Sequence, residues 1–495
     1  MLKMIQNSIK SYIPAIIITI LLLVLECFFL FVLEKSQIIP TKYIALVAVV
    51  IFLFIFLLFF FMHRKERKGR FIVGTLFSFL LSVILIYGII GVHKVTGTLK
   101  AITDVKTEMT DVGVYVLTDN LAESLEELDE ENFGVLEELE RETTNNVIEQ
   151  IKSQDISMIL RDYSGPTTLI EGLRNGETGA IILSTAYIDV IKDLDGYEEI
   201  DSEIRKIASF SVEGESKTPT EKTIDKDVFT IYISGIDSRE GLIAKGRCDV
   251  NILATVNMIT HQILLVTTPR DYFVELPISY GARDKLTHAG IYGINVSMGT
   301  LSMLFGLEEI DYYFRICFEG MRDLVDAVGG VTAYSDYTFT TKSGAYSFVE
   351  GYNEMNGKEA LAFSRERYAF LEGDRQRGKN QTAVIKAMLD KVTSPDILAN
   401  YSSILEAVEG NFETSFSYDQ ITGLANEQLD SAASWEVISY SVDGYGSTEI
   451  PYSMSMPVYV MIPDETTVTT AQTMIQSMMN GERITEPTKT EAIID

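Results

Sequence analysis

The stretch DVFTIYISGIDSR at 227–239 has the pattern of a buried β-strand that runs into a polar loop. Two similar stretches follow, RCDVNILATVN at 247–257 and ILLVTTPRD at 263–271. Only a short polar link separates the second stretch from the third, which predicts an antiparallel hairpin. If the first strand is also antiparallel to the second, charged residues of all three stretches meet at one sheet edge. They are Asp237, Arg239, Arg247, Asp249, Arg270 and Asp271.

Acids and arginines alternate at that predicted edge, and this is the composition that a metal-assisted phosphate site needs. Carboxylate oxygens hold hard cations such as Mg²⁺, and guanidinium groups bind phosphate oxygens in pairs. Ordinary charged loops joined by ion pairs are the alternative. These three stretches by themselves do not decide between the two interpretations.

A second group of arginines lies in LAFSRER at 361–367 and GDRQRGKNQ at 373–381. An extended segment would project Arg365 and Arg367 from one face. Asp374 is a good N-cap, so we expect a helix to begin there, with Arg377 and Gln381 on one face. Such arginines suit a polyanionic ligand. Nucleic acid is one such polyanion, but a formal net charge of −29 argues against it as a partner.

Three nearly uncharged apolar stretches open the chain, namely Tyr12–Leu33, Tyr43–Met62 and Phe71–Val92. Each is long enough to cross a hydrocarbon core of ~30 Å as a helix, so the lipid bilayer is an expected partner. The link between the second and third, HRKERKGR at 63–70, should stay cytoplasmic because it is rich in Lys and Arg. The N-terminus is then cytoplasmic, and the chain after about His93 is extracytoplasmic.

Composition shifts divide the rest of the chain. The acidic segment Asn120–Arg141 is interpreted as a solvated helix face within a small α/β domain. The three cysteines, Cys27, Cys248 and Cys317, have neither disulfide-framework nor zinc-site spacing. The predicted organisation is three transmembrane helices at 1–93, an accessory α/β domain at 94–210, a linker at 211–226, the main domain at 227–392, and a C-terminal extension at 393–495 that packs on the main domain and ends in disordered residues.

Several short motifs, taken in order, resemble the successive signatures of the LytR-CpsA-Psr family. They are GIDSR, RCD and TTPRD in the three strands, DKLTHA at 284–289, NGKEALAFSRER at 356–367, and GD with the later Gln at 373–381. The resemblance covers 227–392 closely. The three spans, the accessory segment and the tail further resemble the capsule-type branch. What the resemblance implies is an α/β/α domain with a central mixed sheet that holds a polyprenyl-pyrophosphate lipid.

The resemblance also implies roles for single residues. Asp237 and Asp249 would hold Mg²⁺ or Mn²⁺, and Asp374 would orient Arg377. The pyrophosphate and the leaving group would be bound by Arg270, Lys285, Arg365, Arg367, Arg377 and Gln381, with Arg239 and Arg247 as further substrate contacts. Many members have Ser-Asp-Thr in place of Cys248-Asp249-Val250, and many have Arg in place of Asn380. The second departure removes one possible phosphate contact. The motifs assign no general base.

The expected activity is phosphotransfer that moves a capsular polysaccharide, teichoic acid or related glycan from its polyprenyl-pyrophosphate carrier to peptidoglycan. One alternative is a protein that only binds polyprenyl pyrophosphate or hydrolyses it. Another is a membrane-bound transcriptional regulator or attenuator. A long isoprenoid needs an apolar channel, yet hydrophobic core is the simpler interpretation of two apolar patterns. These are Met298, Leu301, Leu304 and Phe305 at helical spacing, and Phe314, Ile316 and Phe318 in alternation. His288 either faces the head group or lies on the surface.

Overall fold

The structure is a computed structural model that describes residues 2–63, 68–103, 108–214, 227–236, 245–371, 373–392, 404, 407, 410–431 and 433–486. Asp237, Arg239 and most of the predicted linker therefore lie outside the described residues. The chain divides into two compact units. One holds the N-terminal helices together with Phe416–Ala433, and the other holds Val105–Ser415 and Ser434–Asp495.

The first unit is built on three long apolar helices: α1 (Leu2–Ser36), α2 (Thr41–His63) and α3 (Lys68–Thr103). Their apolar windows have mean hydropathies of 3.1, 3.4 and 2.4, and all three are long enough to cross a membrane. Large apolar side chains such as Leu46, Leu57 and Leu76 remain exposed on their outer faces. The three predicted spans are therefore confirmed as helices suited to membrane anchoring.

A helix from the C-terminal extension, Tyr418–Ser431, belongs to the same unit. It packs at the link between α1 and α2. The side-chain amide of Asn426 donates to the carbonyl of Gln37 at 2.9 Å, and Lys42 pairs with Asp430 at 2.7 Å. The sequence places this segment in an extension that packs on the main domain, whereas the structure groups it with the apolar helices.

The second unit begins with a five-stranded sheet in the order β3-β2-β4-β1-β5. Its elements are β1 (Met109–Leu117), β2 (Asn132–Leu136), α4 (Arg141–Lys152), β3 (Ile159–Tyr163), α5 (Pro166–Arg174), β4 (Ala180–Ser184), α6 (Thr185–Lys192), α7 (Ile200–Glu203) and β5 (Ile204–Glu213). The predicted helix over Asn120–Arg141 is wrong, because Phe133 and Val135 are fully buried in β2 and only Leu125–Leu128 forms a short 3₁₀ turn. A strand buried on both faces shows a run of apolar residues rather than a helical stripe.

A six-stranded mixed sheet forms the centre of the unit, in the order β16-β11-β6-β7-β8-β17. Strand β6 (Val228–Ile236) is antiparallel to β7 (Cys248–Asn257), and β7 is antiparallel to β8 (Gln262–Thr267). The pairing of β7 with β8 confirms the predicted hairpin, and the pairing of β6 with β7 fulfils the condition on which the shared edge depends. Strand β11 (Tyr312–Cys317) is parallel to β6, and β17 (Glu436–Ser441) is parallel to β8. The predicted α/β class with a central mixed sheet is therefore confirmed.

Smaller elements surround this sheet. The strands are β9 (Phe273–Glu275), β10 (Arg283–Lys285), β12 (Val331–Ser335), β13 (Phe339–Thr340), β14 (Ser347–Phe348), β15 (Gly351–Met355), β16 (Phe412–Thr414), β18 (Gly444–Glu449) and β19 (Val458–Pro463). The helices are α8 (Leu286–Ala289), α9 (Ile294–Phe305), α10 (Phe318–Ala327), α11 (Gly357–Arg365), α12 (Asp374–Val392), α13 (Tyr418–Ser431, described above) and α14 (Glu465–Met479). Strand β11 ends at Cys317, so Phe318 begins a helix instead of continuing the predicted alternation.

The core over one sheet face joins α9 and α14 to the central strands. Tyr232, Leu253 and Leu264 are fully buried there, together with Leu301 of α9 and Met478 of α14. The simpler interpretation of the α9 pattern as hydrophobic core is thus borne out for Leu301. The extension also closes the sheet beyond α14, because the backbone N–H of Ile484 donates to Gln262 at 2.9 Å.

Candidate functional site: a buried arginine and aspartate cluster

The register of the central sheet brings the described members of the predicted charged group to one edge, namely Arg247, Asp249, Arg270 and Asp271. Ile236, the last residue of β6, pairs with Cys248 at the start of β7, and Thr267 at the end of β8 pairs with Ile252. Asp249 therefore lies beside Arg270, which donates from Nη1 to Oδ1 of Asp249 at 2.9 Å. Asp249 is the second residue of a strand and is largely buried, so it is not the loop acid that the sequence indicates.

Arg270 is the central cation of the cluster. Besides Asp249, its Nε lies 3.4 Å from Asp374 and 3.8 Å from Asp271. Burial opposes its positive charge, but the three carboxylates outweigh burial and raise its pKa. Its Nε is buried and has no hydrogen-bond acceptor among the described residues. A buried donor of this kind is an available contact for an anionic ligand.

The three acids experience different surroundings. Burial would raise the pKa of Asp249, yet Arg270, Arg377 and Arg247 together lower it. The pKa of Asp271 is also lowered despite burial, because Lys285 lies 2.8 Å away and Arg270 is close. Burial dominates at Asp374 and raises its pKa. Asp249 and Asp271 are therefore the firmly ionised acids of the cluster.

Helix α12 delivers the second arginine. Arg377 follows Asp374 by one helical turn, and its Nη2 lies 3.3 Å from Oδ1 of Asp374, so the structure joins the two residues that the sequence pairs. Burial first, and then the positive charge of Arg270, lower the pKa of Arg377. Arg270 and Arg377 both contact Asp374, which brings two guanidinium groups that can bind phosphate oxygens close together. Gln381, one turn further, is buried on the same helix.

Arg365 and Arg367 are more exposed than Arg270 and Arg377. Arg365 is the last residue of helix α11, so the extended segment predicted for Arg365 and Arg367 is wrong at its first arginine. The α11 helix begins at Asn356, whose side chain and Glu359 form a capping box. The Arg365 guanidinium lies over the ring of Phe318, 4.4 Å from its centre. Arg367 approaches Asp374 to 3.9 Å and donates to the hydroxyl of Tyr368 at 2.7 Å.

A cavity of about 130 Å³ opens beside the cluster, and we name it the phosphate cavity. Its cationic wall consists of Arg247, Arg270 and Lys285. Val190 and Leu194 reach it from the accessory domain, and Met454, Val458 and Tyr459 reach it from the C-terminal extension. The lining also includes Asp193 and Asp271, so the cavity combines charged and apolar side chains, which suits a charged group that carries a bulky substituent.

Two features of the cavity are not evident from the sequence. Arg247 forms an ion pair with Asp193 of the accessory domain, and a contact across 54 residues has no local signal. His288 lines the cavity and is buried, so the surface alternative for this histidine is wrong. Its Nδ1 lies 2.7 Å from Oδ1 of the fully buried Asp284 and 2.9 Å from the hydroxyl of Ser453.

Of the two predicted metal ligands, Asp249 lies within the described residues and Asp237 does not. Oδ1 of Asp249 accepts from Arg270 and lies 3.3 Å from the hydroxyl of Thr287, so an ionised carboxylate is present beside the arginines. Such oxygens are the ligands that Mg²⁺ prefers. Within the described ranges no group of three or more His, Cys, Asp and Glu side chains forms a metal cluster. Asp237 belongs to 237–244, outside those ranges.

The fold and the site define a class of protein: an α/β protein with three apolar anchor helices and a buried arginine–aspartate cluster suited to a phosphate ester. The LytR_cpsA_psr family model matches residues 197–475. The chain belongs to the LytR-CpsA-Psr family.

Parts of the chain are similar to proteins of known name. The chain is 36% identical to an Enterococcus faecalis protein named polyisoprenyl-teichoic acid–peptidoglycan teichoic acid transferase TagU. The similarity extends over 203 residues, which are 41% of this chain and 66% of the relative. The Bacillus subtilis protein of the same name is 32% identical, and the similarity covers 44% of this chain and 70% of the length of that protein. The crystal structure of Bacillus subtilis TagV is 25% identical, with a TM-score of 0.44, and covers 52% of this chain and 99% of that one.

Proposed function

We propose that this protein transfers a glycan polymer from a polyprenyl-pyrophosphate carrier to peptidoglycan. The observation that carries the proposal is the buried pair of arginines, Arg270 and Arg377, with Lys285 and Arg247 nearby. Guanidinium and ammonium groups bind phosphate oxygens, and a pyrophosphate offers several of these oxygens. The printed names of the relatives support both the carrier and the acceptor.

The side chains have separable roles in this proposal. Arg270 and Arg377 bind phosphate oxygens through their guanidinium forks, and Lys285 adds a point charge at the cavity wall. Asp249 and Asp374 hold the two guanidinium groups in place, at 2.9 Å and 3.3 Å respectively. The ligand therefore meets donors that are already oriented, which lowers the barrier for a reaction that spreads charge over phosphate oxygens.

The proposed reaction is a phosphoryl transfer in which one P–O bond replaces another. A hydroxyl oxygen of peptidoglycan attacks the phosphorus that carries the glycan, and the bond from that phosphorus to the bridging oxygen breaks. The electron pair of this bond leaves with polyprenyl phosphate, and the hydroxyl proton passes to a base. Arg270 and Arg377 stabilise the negative charge that develops on the leaving phosphate.

A divalent cation fits the chemistry of this site. Asp249, whose pKa is lowered despite its burial, would hold Mg²⁺ or Mn²⁺ together with Asp237. When bound, the ion neutralises pyrophosphate charge and favours departure of polyprenyl phosphate. Transfer by the purified protein should therefore need the ion, and Asp249→Asn should raise the Mg²⁺ concentration required for half-maximal transfer.

We place the second unit on the outer side of the cell membrane. The support is the basic link at 63–70, which favours the cytoplasmic side, and three apolar helices, which then leave the following chain outside. Peptidoglycan and the carrier head group are both accessible from that side. A transcriptional regulator requires the opposite orientation.

The decisive experiment incubates the full-length protein in detergent with lipid-linked glycan, peptidoglycan and Mg²⁺. The expected result is glycan joined covalently to peptidoglycan through a phosphodiester, with one polyprenyl phosphate released for each glycan attached. Bound carrier without product would identify a binding protein. Release of polyprenyl phosphate without glycan attachment would identify a pyrophosphatase.

A further inference from the structure

The antiparallel ribbon of β18 and β19 in the C-terminal extension is fixed against the phosphate cavity. The backbone N–H of Met461 donates to the carbonyl of Asp271 at 2.8 Å. At the same end of the ribbon, just before Gly444, Asp443 pairs with Nε of Arg375 at 2.7 Å. Because Asp271 and Arg375 flank the arginine cluster in sequence and space, these contacts give the ribbon a defined position beside it.

Tyr459 is the aromatic residue that this ribbon presents at the cavity. Its side chain lines the same cavity as Arg270 and Lys285, yet 53% of its surface remains exposed. Burial of the remainder, followed by the negative charges of Asp271 and Asp374, raises the pKa of its phenol. The ring is therefore both close to the charged cluster and open to solvent on part of its surface.

The position of the ring depends on a glycine across the ribbon. Tyr459 pairs with Thr448, and Gly446 lies diagonally opposite, two residues earlier on β18. A Cβ atom at Gly446 would be only 2.9 Å from a ring carbon of Tyr459. The ring thus packs directly on the backbone of Gly446, an approach that only a residue without a side chain permits.

From this geometry we infer that Tyr459 is a stacking platform for the sugar attached to the pyrophosphate. This inference rests on the proposed function and adds a subsite to it. One face of a pyranose ring carries C–H groups, which pack on an aromatic face, while its hydroxyls remain in water. The cationic wall takes the two phosphates, and the sugar bonded to the outer phosphate is the next group along the ligand. Tyr459 lines the same cavity as that wall and offers an aromatic surface for this sugar.

The test compares two soluble probes, farnesyl pyrophosphate and farnesyl-pyrophosphoryl-N-acetylglucosamine, which differ only in the sugar. Their dissociation constants are measured on the full-length protein in detergent with Mg²⁺. Wild-type protein should bind the sugar-bearing probe more tightly. Tyr459→Ala should raise the dissociation constant of that probe by about 3- to 10-fold, the range expected for an aromatic contact, and leave that of the bare probe unchanged.

Three further variants make the test specific. Tyr459→Phe should retain the preference, because stacking needs the ring and not the hydroxyl. Gly446→Ala keeps the tyrosine but displaces its ring, so it should lose the preference in the same way as Tyr459→Ala. Tyr445→Ala is the matched control, because alternation along β18 places this exposed tyrosine on the opposite face of the ribbon.

The outcomes separate this inference from the proposed function. The sugar platform would be overturned if Tyr459→Ala weakened the binding of both probes equally, or if the wild type bound both probes with equal affinity. Neither result affects the arginine cluster. Unchanged binding of both probes in Arg270→Ala would instead overturn the pyrophosphate site and the platform that depends on it. Melting temperatures of all variants show whether a loss of binding comes from unfolding.

Discussion

The guanidinium of Arg270 donates to the carboxylate of Asp249 over 2.9 Å, and both side chains are nearly excluded from solvent. Desolvation of two charges is expensive, and such a pair persists only where further polar groups compensate for it. Here Asp271 and Asp374 also lie within 4 Å of Arg270. The positive charge of Arg270 and the planar shape of its guanidinium group can be tested separately, because lysine keeps the charge but not the shape.

Arg270→Lys should impair transfer although it keeps the positive charge. Lysine loses the planar fork and one or more charge-assisted hydrogen bonds, so kcat/KM should fall about 10- to 100-fold. Arg483→Lys is the matched control, because Arg483 pairs with Glu436 on the exposed surface. Transfer rates at saturating Mg²⁺ are the measurement. An Arg270→Lys enzyme with wild-type kcat/KM would show that the arginine has only an electrostatic role.

Asp271 and Asp374 should affect the pH dependence of folding stability in opposite directions. The pKa of Asp271 is lowered by Lys285 and Arg270 in spite of burial, so its contribution to stability is present at neutral pH and lost as the pH falls below about 4. The pKa of Asp374 is raised by burial, so its contribution is present at low pH and lost as the pH rises through the raised value.

Melting temperatures measured from pH 6 to pH 3 test this difference. Asp271→Asn should make the decline on acidification shallower than in the wild type. Asp374→Asn should make it steeper, because a group that gains a proton on folding is removed. Slopes that change in the same direction for both variants would contradict the assigned pKa shifts.

The orientation of the second unit can be tested with single cysteines. Leu121 follows β1 and is 92% exposed, so a Leu121→Cys variant presents a thiol to solvent. A membrane-impermeant maleimide should label it in intact cells. The background is Cys27→Ser, because Cys248 and Cys317 are buried. Gly69→Cys, in the basic link, should be labelled only after the cells are opened. The reverse pattern would place the cluster in the cytoplasm.

Local sequence patterns were sufficient for much of this site. The apolar runs of β7 and β8 and the short link between them predict a hairpin, and that hairpin brings Asp249 close to Arg270. Spacing along a helix likewise predicts that Asp374 and Arg377 meet. Alternating or helical periodicity is a local property, so elements that obey it can be predicted from one sequence.

The helix that ends at Arg365 has a local signal, the capping box of Asn356 and Glu359, but the alternate spacing of Arg365 and Arg367 does not reveal it. Other parts depend on tertiary contacts that have no local signal. The ion pair of Arg247 with Asp193 joins residues that are 54 positions apart in the sequence. The docking of α13 on the link between α1 and α2 likewise joins segments nearly 400 residues apart, such as Asn426 and Gln37.

The last prediction concerns Arg315, which is buried in β11 away from the phosphate cavity. Its Nη1 lies 2.6 Å from Glu108 and its Nη2 lies 3.0 Å from Glu413. Burial opposes its charge, but Glu413 and Glu108 outweigh burial and raise its pKa. Arg315→Met leaves two partly buried carboxylates without their shared cation, so the free energy of unfolding should fall by about 3–5 kcal/mol.

Urea unfolding followed by the fluorescence of Trp435, the single tryptophan of the chain, measures this loss in the second unit. Arg322→Met is the control, because the pair of Arg322 with Asp323 is more than one-third exposed and should contribute only about 0–1 kcal/mol. The triple variant Arg315→Met, Glu108→Gln, Glu413→Gln should recover much of the lost stability, since no unpaired charge remains. A loss below about 1 kcal/mol in Arg315→Met would mean that water reaches the two carboxylates and solvates them.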